Sequence, residues 1–221
     1  MTGQSWIIDL DNTLYEAGSN LFDQIDVRMG RYIAQLFDVD RVEARRLQKD
    51  YLARYGTTLS GLIACHDVDP YPFLDYVHDI DVTSIERDPS LSEALEGLGG
   101  QRFIYTNGSQ GHAERILAHL EIDHLFNGIF DIAAAAFEAK PAQSAMQRCV
   151  DTFDINPHMA TMIDDMASNL KPAAALGMHT VWIDTGSPWS SAGHGPHVKE
   201  RATCLKSWLA GDTPKNEQQG Y

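Results

Sequence analysis

The sequence predicts an α/β fold, a doubly wound parallel-sheet core interrupted by an all-helical insertion, and three observations predict it. A short apolar run, Trp6-Ile7-Ile8-Asp9-Leu10, gives way at once to polar and turn residues and reads as a buried parallel strand. Residues 17–87 then show helical spacing of apolar side chains and no strand alternation. Beyond about residue 100, short apolar strands alternate with helices of about ten residues, the pattern of βαβ crossovers.

In the insertion, Leu21, Ile25, Met29, Tyr32, Ile33 and Leu36 recur at helical spacing and predict a helix over Leu21–Phe37. Asp40, with Glu43 three residues on, reads as a capping box. It opens a second helix in which Ala44, Leu47, Tyr51 and Tyr55 share one face, and which Gly56 closes. Leu59–Ala64 and Pro72–His78 read as shorter helices. After Pro89 come a helix over Ser90–Leu98, a strand over Arg102–Thr106 and a helix over Gln110–Leu120. A strand over Ile129–Ala133 follows, then a helix over Pro141–Phe153 with proline in its first turn. Thr161–Asp164 reads as a strand, Ser168–Leu176 as a helix and Thr180–Ile183 as a strand. The Gly-, Ser-, Pro- and His-rich stretch 186–197 reads as a loop. The expected division is a core of residues 1–16 and 88–210, a helical insertion at 17–87 and a flexible polar tail at 211–221.

Composition narrows the function classes. The 221 residues are 43% hydrophobic and 22% charged, as in an ordinary globular protein. Seventeen Lys and Arg against 31 Asp and Glu give a net charge of −14 with no basic stripe, which argues against a polymeric nucleic-acid partner. No run approaches the roughly 18 apolar residues of a membrane span, and the first residues lack the basic start and apolar stretch of a signal peptide. Cys65, Cys149 and Cys204 lie far apart without metal-site spacing, so reduced thiols and a cytoplasmic location are expected.

Ligands of open parallel sheets bind beyond the carboxyl ends of the strands. Strand one ends in Asp9, Asp11, Asn12 and Thr13, and the Arg102–Thr106 strand in Thr106, Asn107, Gly108 and Ser109. Lys140-Pro141 follows the third strand and Asp164-Asp165 ends the fourth. Asp9 and Asp11 alternate about Leu10, so in extended geometry they face the same way. Carboxylates gathered this closely repel one another, and a hard divalent cation such as Mg²⁺ resolves that conflict. One Asp is then free to act as nucleophile and its neighbour as proton shuttle, while lysine and hydroxyl stabilise a transferring phosphoryl group. Taken singly, each motif has a blander reading: turn and helix cap for 9–13, plain turn for 106–109, helix charge compensation for Asp164-Asp165, solvated lysine for Lys140. Their conjunction, in order and each at a strand end, favours a site.

These residues resemble a known family. Asp9-Leu10-Asp11-Asn12-Thr13-Leu14-Tyr15, Tyr105-Thr106-Asn107, Lys140-Pro141 and Ile163-Asp164-Asp165 are similar to the four ordered motifs of the haloacid dehalogenase-like (HAD) hydrolases. The resemblance covers about residues 5–185 and implies a Rossmann-like core with residues 17–87 as an inserted helical cap. Asn12, the Leu14-Tyr15 pair and the stretch Tyr55–Leu62 are similar to the pyrimidine 5′-nucleotidase branch. The resemblance implies Asp9 as nucleophile and Asp11 as acid and base. It implies Thr106, the Asn107 amide and Lys140 around the phosphoryl oxygens, and Mg²⁺ held by Asp9, the Asp11 carbonyl, Asp165 and Asp164. Asn169 stands where many relatives place a further acid.

The implied activity is hydrolysis of a small phosphorylated metabolite, with a pyrimidine nucleoside 5′-monophosphate as the best substrate guess. A sugar-phosphate phosphatase, a phosphomutase and a non-catalytic phosphate-binding protein are the alternatives. Tyr15, Tyr55, Thr57, Thr58 and His66 are the candidates for substrate choice, with Tyr71 and Phe73 as further aromatic contacts; cap packing is the competing reading for each. Cys65 reads as a buried small hydrophobe. The oligomeric state is left open.

Overall fold

The computed structural model describes residues 3–211. Six strands form one parallel sheet: β1 (Ser5–Ile8), β2 (Gln101–Tyr105), β3 (Gly128–Phe130), β4 (Ala160–Asp164), β5 (His179–Ile183) and β6 (Glu200–Ala202), in the order β3-β2-β1-β4-β5-β6. The order reverses at β1, which pairs with β2 on one side and β4 on the other. This is the Rossmann-like switch point where ligands bind.

Alternation along the strands builds two apolar layers, because successive side chains leave a strand on opposite faces. Ile8, Ile104, Ile163, Val181 and Ile183 face α5 (Pro89–Glu96), α6 (Gln110–Leu120) and α9 (Leu205–Leu209). Ile7, Phe103, Tyr105, Met162 and Trp182 face α7 (Gln143–Thr152) and α8 (Lys171–Ala175). Burial on both faces is why these strands read as continuous apolar runs.

Between β1 and β2 lie α1 (Leu21–Phe37), α2 (Arg41–Tyr55), α3 (Thr58–His66) and α4 (Pro70–His78). Their own core of Ile25, Ile33, Ala44, Tyr51, Leu62, Phe73 and Val77 takes in Ile132 from the segment after β3, which ties insertion to sheet. Local chemistry sets the helix starts: Asp40 accepts the Glu43 amide, Thr57 that of Ser60, and Asp69 that of Tyr71 ahead of Pro70. A Cβ at Gly61 would stand 2.4 Å from the Tyr51 Cβ, so the close crossing of α2 and α3 requires glycine there.

Several boundaries differ from the sequence reading. The capping box forms only its first half, because the Glu43 carboxylate pairs with Arg46 instead of turning back to Asp40. The third strand stops at Phe130, where Asp131 accepts the Ala134 amide at 2.8 Å and folds the chain into a turn. Pro141 lies outside α7: a turn closed by the Ala142 amide on the Ala139 carbonyl precedes the helix, which begins at Gln143. The helix expected over Ser168–Leu176 divides into a 3₁₀ turn, Ala167–Leu170, and α8, with Pro172 in the first turn of the latter. β6 and α9 escaped the sequence reading because an edge strand written Glu-Arg-Ala and a five-residue helix carry too little periodicity. Cys65 is exposed at the end of α3, donating to the Tyr55 hydroxyl, while Cys149 is the buried thiol. Beyond Gly211 the expected tail lies outside the described residues. Among those described, no helix is long and apolar enough to cross a membrane.

Candidate active site

The register of β1 brings the site together. Ile8 aligns with Ile104 and Ile163, and the Asp9 amide donates to the Ile163 carbonyl at 2.9 Å. Asp9 therefore leaves the sheet between the ends of β2 and β4, next to Asp164. Lys140 reaches the same place from the turn before α7, its backbone amide donating to the Asn107 Oδ1 at 2.8 Å. The Lys140 Nζ donates to Asp9 Oδ1 at 2.6 Å, Asp164 Oδ2 at 2.7 Å and the Tyr105 carbonyl at 3.0 Å, which uses all three of its protons. Burial opposes the Lys140 charge, but the two carboxylates outweigh it and push its pKa well above the ordinary lysine value.

Asp9, Asp164 and Asp165 are buried with carboxylate oxygens within 4.8 Å of one another. Asp164 is fully engaged: beyond Lys140 it accepts the Met166 amide at 2.8 Å and Asn169 Nδ2 at 2.9 Å. Asn169 thus orients an acid of the cluster. The Asp165 carboxylate has no hydrogen-bond donor among the described residues, while its carbonyl is held by Trp182 Nε1 and Ser190 Oγ. Burial raises Asp9 despite Lys140, and burial with the neighbouring Asp9 and Asp164 charges raises Asp165. Three buried carboxylates against one ammonium form a hard-oxygen, anion-rich donor set, which fits a divalent cation.

β1 ends at Ile8, the Leu10 carbonyl accepts the Thr13 and Leu14 amides, and Asn12 is left-handed at φ 62°, so the chain turns at Asp11 instead of running on as a strand. Asn tolerates this conformation, which accounts for its place in the motif. The Asp11 carboxylate accepts the Tyr15 hydroxyl at 2.6 Å and His112 Nε2 at 2.9 Å. Burial raises Asp11, but the His112 imidazole and these two hydrogen bonds outweigh it and hold the carboxyl at about 2.

Thr106 is buried, its hydroxyl accepting the Gly108 amide at 2.9 Å. A Cβ at Gly108 would lie 3.2 Å from both Thr106 Oγ1 and His112 Cδ2. This turn therefore packs tightly against the histidine, and a Cβ there would make Thr106 and His112 give by a few tenths of an ångström. His112 stacks on His78 of α4, centroids 4.3 Å apart and planes 13° from parallel, and His78 Nδ1 meets Ser109 Oγ at 2.9 Å. Burial, and then the adjacent His112, hold His78 down at about 3.

The structure thus gathers Asp9, Asp11, Thr106, Asn107, Lys140, Asp164 and Asp165 on one rim. Tyr15 is at that rim too, bonded to Asp11. The remaining substrate-choice candidates have partners inside the insertion. Tyr55 accepts Cys65 Sγ, Thr57 caps α3, Thr58 is buried, and His66 Nε2 meets the Tyr51 hydroxyl at 2.7 Å. Phe73 is core, and Tyr71 packs edge-on to Phe137 at 5.6 Å. Sequence reasoning missed His112 and His78. The available signal was a histidine sharing the apolar face of α6 with Ala113 and Ile116, one turn from a serine cap.

The comparisons with known proteins agree with this layout. Phosphate metabolism protein 8 of Saccharomyces cerevisiae is 26% identical over 199 residues, covering 78% of this chain. The matched region is 59% of that protein's length. A HAD phosphatase from Thermococcus onnurineus shares the fold at a TM-score of 0.63 and 16% identity, over 95% of this chain and 97% of the other. YfnB from Bacillus subtilis, a HAD-hydrolase by its description and bound to magnesium, does so at 0.61 and 12%, over 95% and 98%. Phosphatases and L-2-haloacid dehalogenases both occur among the matched structures, so the fold alone does not choose between them. A family model described as haloacid dehalogenase-like hydrolase matches residues 6–177, most of the chain, and the protein belongs to that hydrolase family.

Proposed function

We propose that the protein is a Mg²⁺-dependent phosphomonoester hydrolase that works through an aspartyl-phosphate on Asp9, with pyrimidine nucleoside 5′-monophosphates as its substrates. One observation carries the phosphatase reading: a second carboxylate, Asp11, stands two residues past the buried Asp9 and is held by its own donors, apart from Lys140. A carboxylate nucleophile needs such a partner when the leaving group is an alcohol, because an alkoxide must be protonated as it departs. We further read residues 17–87 as a cap over a core of residues 1–16 and 88–210.

In this mechanism Asp9 attacks phosphorus and the P–O bond to the alcohol breaks. Asp11, ionised in the free site, takes up the proton of a singly protonated phosphate ester as the substrate enters, gives it to the leaving oxygen, then takes one from the water that hydrolyses the acyl phosphate. The Thr106 hydroxyl, whose oxygen already accepts the Gly108 amide, keeps its proton for a phosphoryl oxygen. The Asn107 amide, which meets no acceptor among the described residues, serves another. Lys140 offsets charge on Asp9 and the phosphoryl group. Asp9, Asp165, Asp164 and the Asp11 carbonyl would hold Mg²⁺, which when bound neutralises the carboxylates and withdraws charge from the phosphoryl oxygens.

The nucleotide reading rests on the likeness of Asn12, Leu14-Tyr15 and Tyr55–Leu62 to the pyrimidine 5′-nucleotidase branch. Phosphate release with Mg²⁺ from UMP, CMP, purine nucleotides and sugar phosphates tests it. Higher kcat/KM for UMP and CMP is expected, with no turnover by a folded Asp9→Asn variant. Equal rates across the panel would remove the nucleotidase reading, and turnover by Asp9→Asn would remove the nucleophile.

A further inference from the structure

Both side-chain donors to Asp11 converge on a single oxygen. The Tyr15 hydroxyl and His112 Nε2 each donate to Oδ1, at 2.6 and 2.9 Å, and Oδ2 accepts nothing among the described residues. Tyr15 follows Asp11 by four residues on the same turn, whereas His112 comes from α6, on the far side of the insertion in sequence. The His112 side chain is wholly buried, and among the described residues its Nδ1 has no partner and the ring bonds only to Asp11. What holds the ring is packing: His78 of α4 lies flat against it, and Gly108 sits close to the edges of both rings. His78 is itself fixed by Ser109 Oγ at Nδ1 and by Arg115, which donates to its carbonyl.

We infer that His112 is a positioning residue which, with Tyr15, clamps Oδ1 of Asp11 so that Oδ2 faces the leaving oxygen, and that His78 couples this clamp to the docking of the helical insertion. The inference rests on the phosphatase reading above and deepens it. Two donors on one carboxylate oxygen fix the plane of the group, and the free oxygen is the one available to carry the transferable proton. That proton passes from Oδ2 to the ester oxygen as the P–O bond breaks and its electron pair moves to that oxygen. Because the ring is stacked on a side chain of the insertion, the acid acquires its orientation only when α4 lies against α6.

Leaving-group dependence separates positioning of an acid from support of the fold. p-Nitrophenolate leaves readily without a proton, whereas a nucleoside alkoxide does not. kcat/KM reports the steps up to departure of the alcohol. His112→Ala is expected to lower kcat/KM for a nucleoside 5′-monophosphate by about 100-fold, with a much smaller loss on p-nitrophenyl phosphate. His112→Gln, whose amide can donate to the same oxygen, is expected to recover most of the difference. Tyr15→Phe removes the other donor without opening a cavity and is expected to show the same selective loss, which keeps the test available should His112→Ala not fold. His78→Ala, which leaves the bonding groups in place, is expected to show it in weaker form.

Equal losses on both substrates, or no loss, would overturn the inference. A crystal structure gives a readout independent of turnover: the Asp11 carboxylate should rotate in His112→Ala and stay in His112→Gln, and an unmoved carboxylate in the alanine variant would also overturn it. Wild-type protein inactive on every phosphate monoester, or active without Asp9, would instead strike the phosphatase reading, leaving the crystallographic result to decide the clamp.

Discussion

Replacing Lys140 with methionine keeps most of the side-chain volume and removes the charge that joins two acids. The Lys140 side chain is 3% exposed, and those of its partners Asp9 and Asp164 are 8% and 0% exposed, so solvent cannot take over the lost contacts. Breaking a buried pair by deleting one partner costs about 3–5 kcal/mol, because the remaining charge stays buried and uncompensated. In a chain of this size about 1 kcal/mol moves Tm by roughly 2–4 °C, so a fall of about 6–20 °C is expected for Lys140→Met in EDTA. The paired variant Lys140→Met/Asp164→Asn should lose less than the sum of its two single changes, by about 1–3 kcal/mol, since the two residues share a bond. Urea unfolding of the four proteins gives this cycle directly. A single-variant loss below about 1 kcal/mol, or strict additivity, would refute the account of Lys140 as the strut of the cluster.

Three further outcomes follow from the same geometry. Asp9 and Asp165 are raised from 3.8 to about 7 and about 9, so in metal-free protein the folded state keeps protons that the unfolded state has released. Metal-free stability should therefore fall as pH rises across that window, and Mg²⁺ should raise Tm most at its alkaline end; a stabilisation independent of pH would contradict the shared carboxylate site. Lys140, raised above its ordinary 10.5, contributes stability that is present below that value and lost as pH climbs through its higher folded value, so wild type should converge on Lys140→Met under strong alkali. Gly108→Ala should shift Thr106 and His112 by a few tenths of an ångström and lower kcat/KM by up to about tenfold, read beside a Tm change of only a few degrees; unchanged turnover would show that the turn has slack.

The sequence made the sheet and the rim legible because both are local. An apolar run followed at once by acids marks a strand and its carboxyl end together, and this located Asp9, Thr106 and Asp164 without knowledge of the packing. The turn after Leu10 was less legible, since an Asp-x-Asp spacing looks alike whether the chain runs on or bends, and the left-handed Asn12 decides it. The partners of Asp11 were invisible for another reason. His112 and His78 are 34 residues apart and meet only through the packing of α4 on α6, which no periodicity encodes. Asn169 was noticed as a departure from the expected acid, but its bond to Asp164 needed the geometry. Edge position hid β6, whose residues need not be apolar.

The central place of β1 has a consequence for how the molecule is made. Ser5–Ile8 emerges from the ribosome well before the strand that flanks it opposite β2, Ala160–Asp164. Pairing so distant in sequence is slow, because the long intervening loop loses its freedom before any contact forms. A nascent chain stalled before β4 has neither Asp164 nor Asp165, so Asp9 has Lys140 but not the two acids that complete the cluster. The concentrated negative charge at the mouth of the sheet is thus assembled only after β4 has been made and has paired with β1.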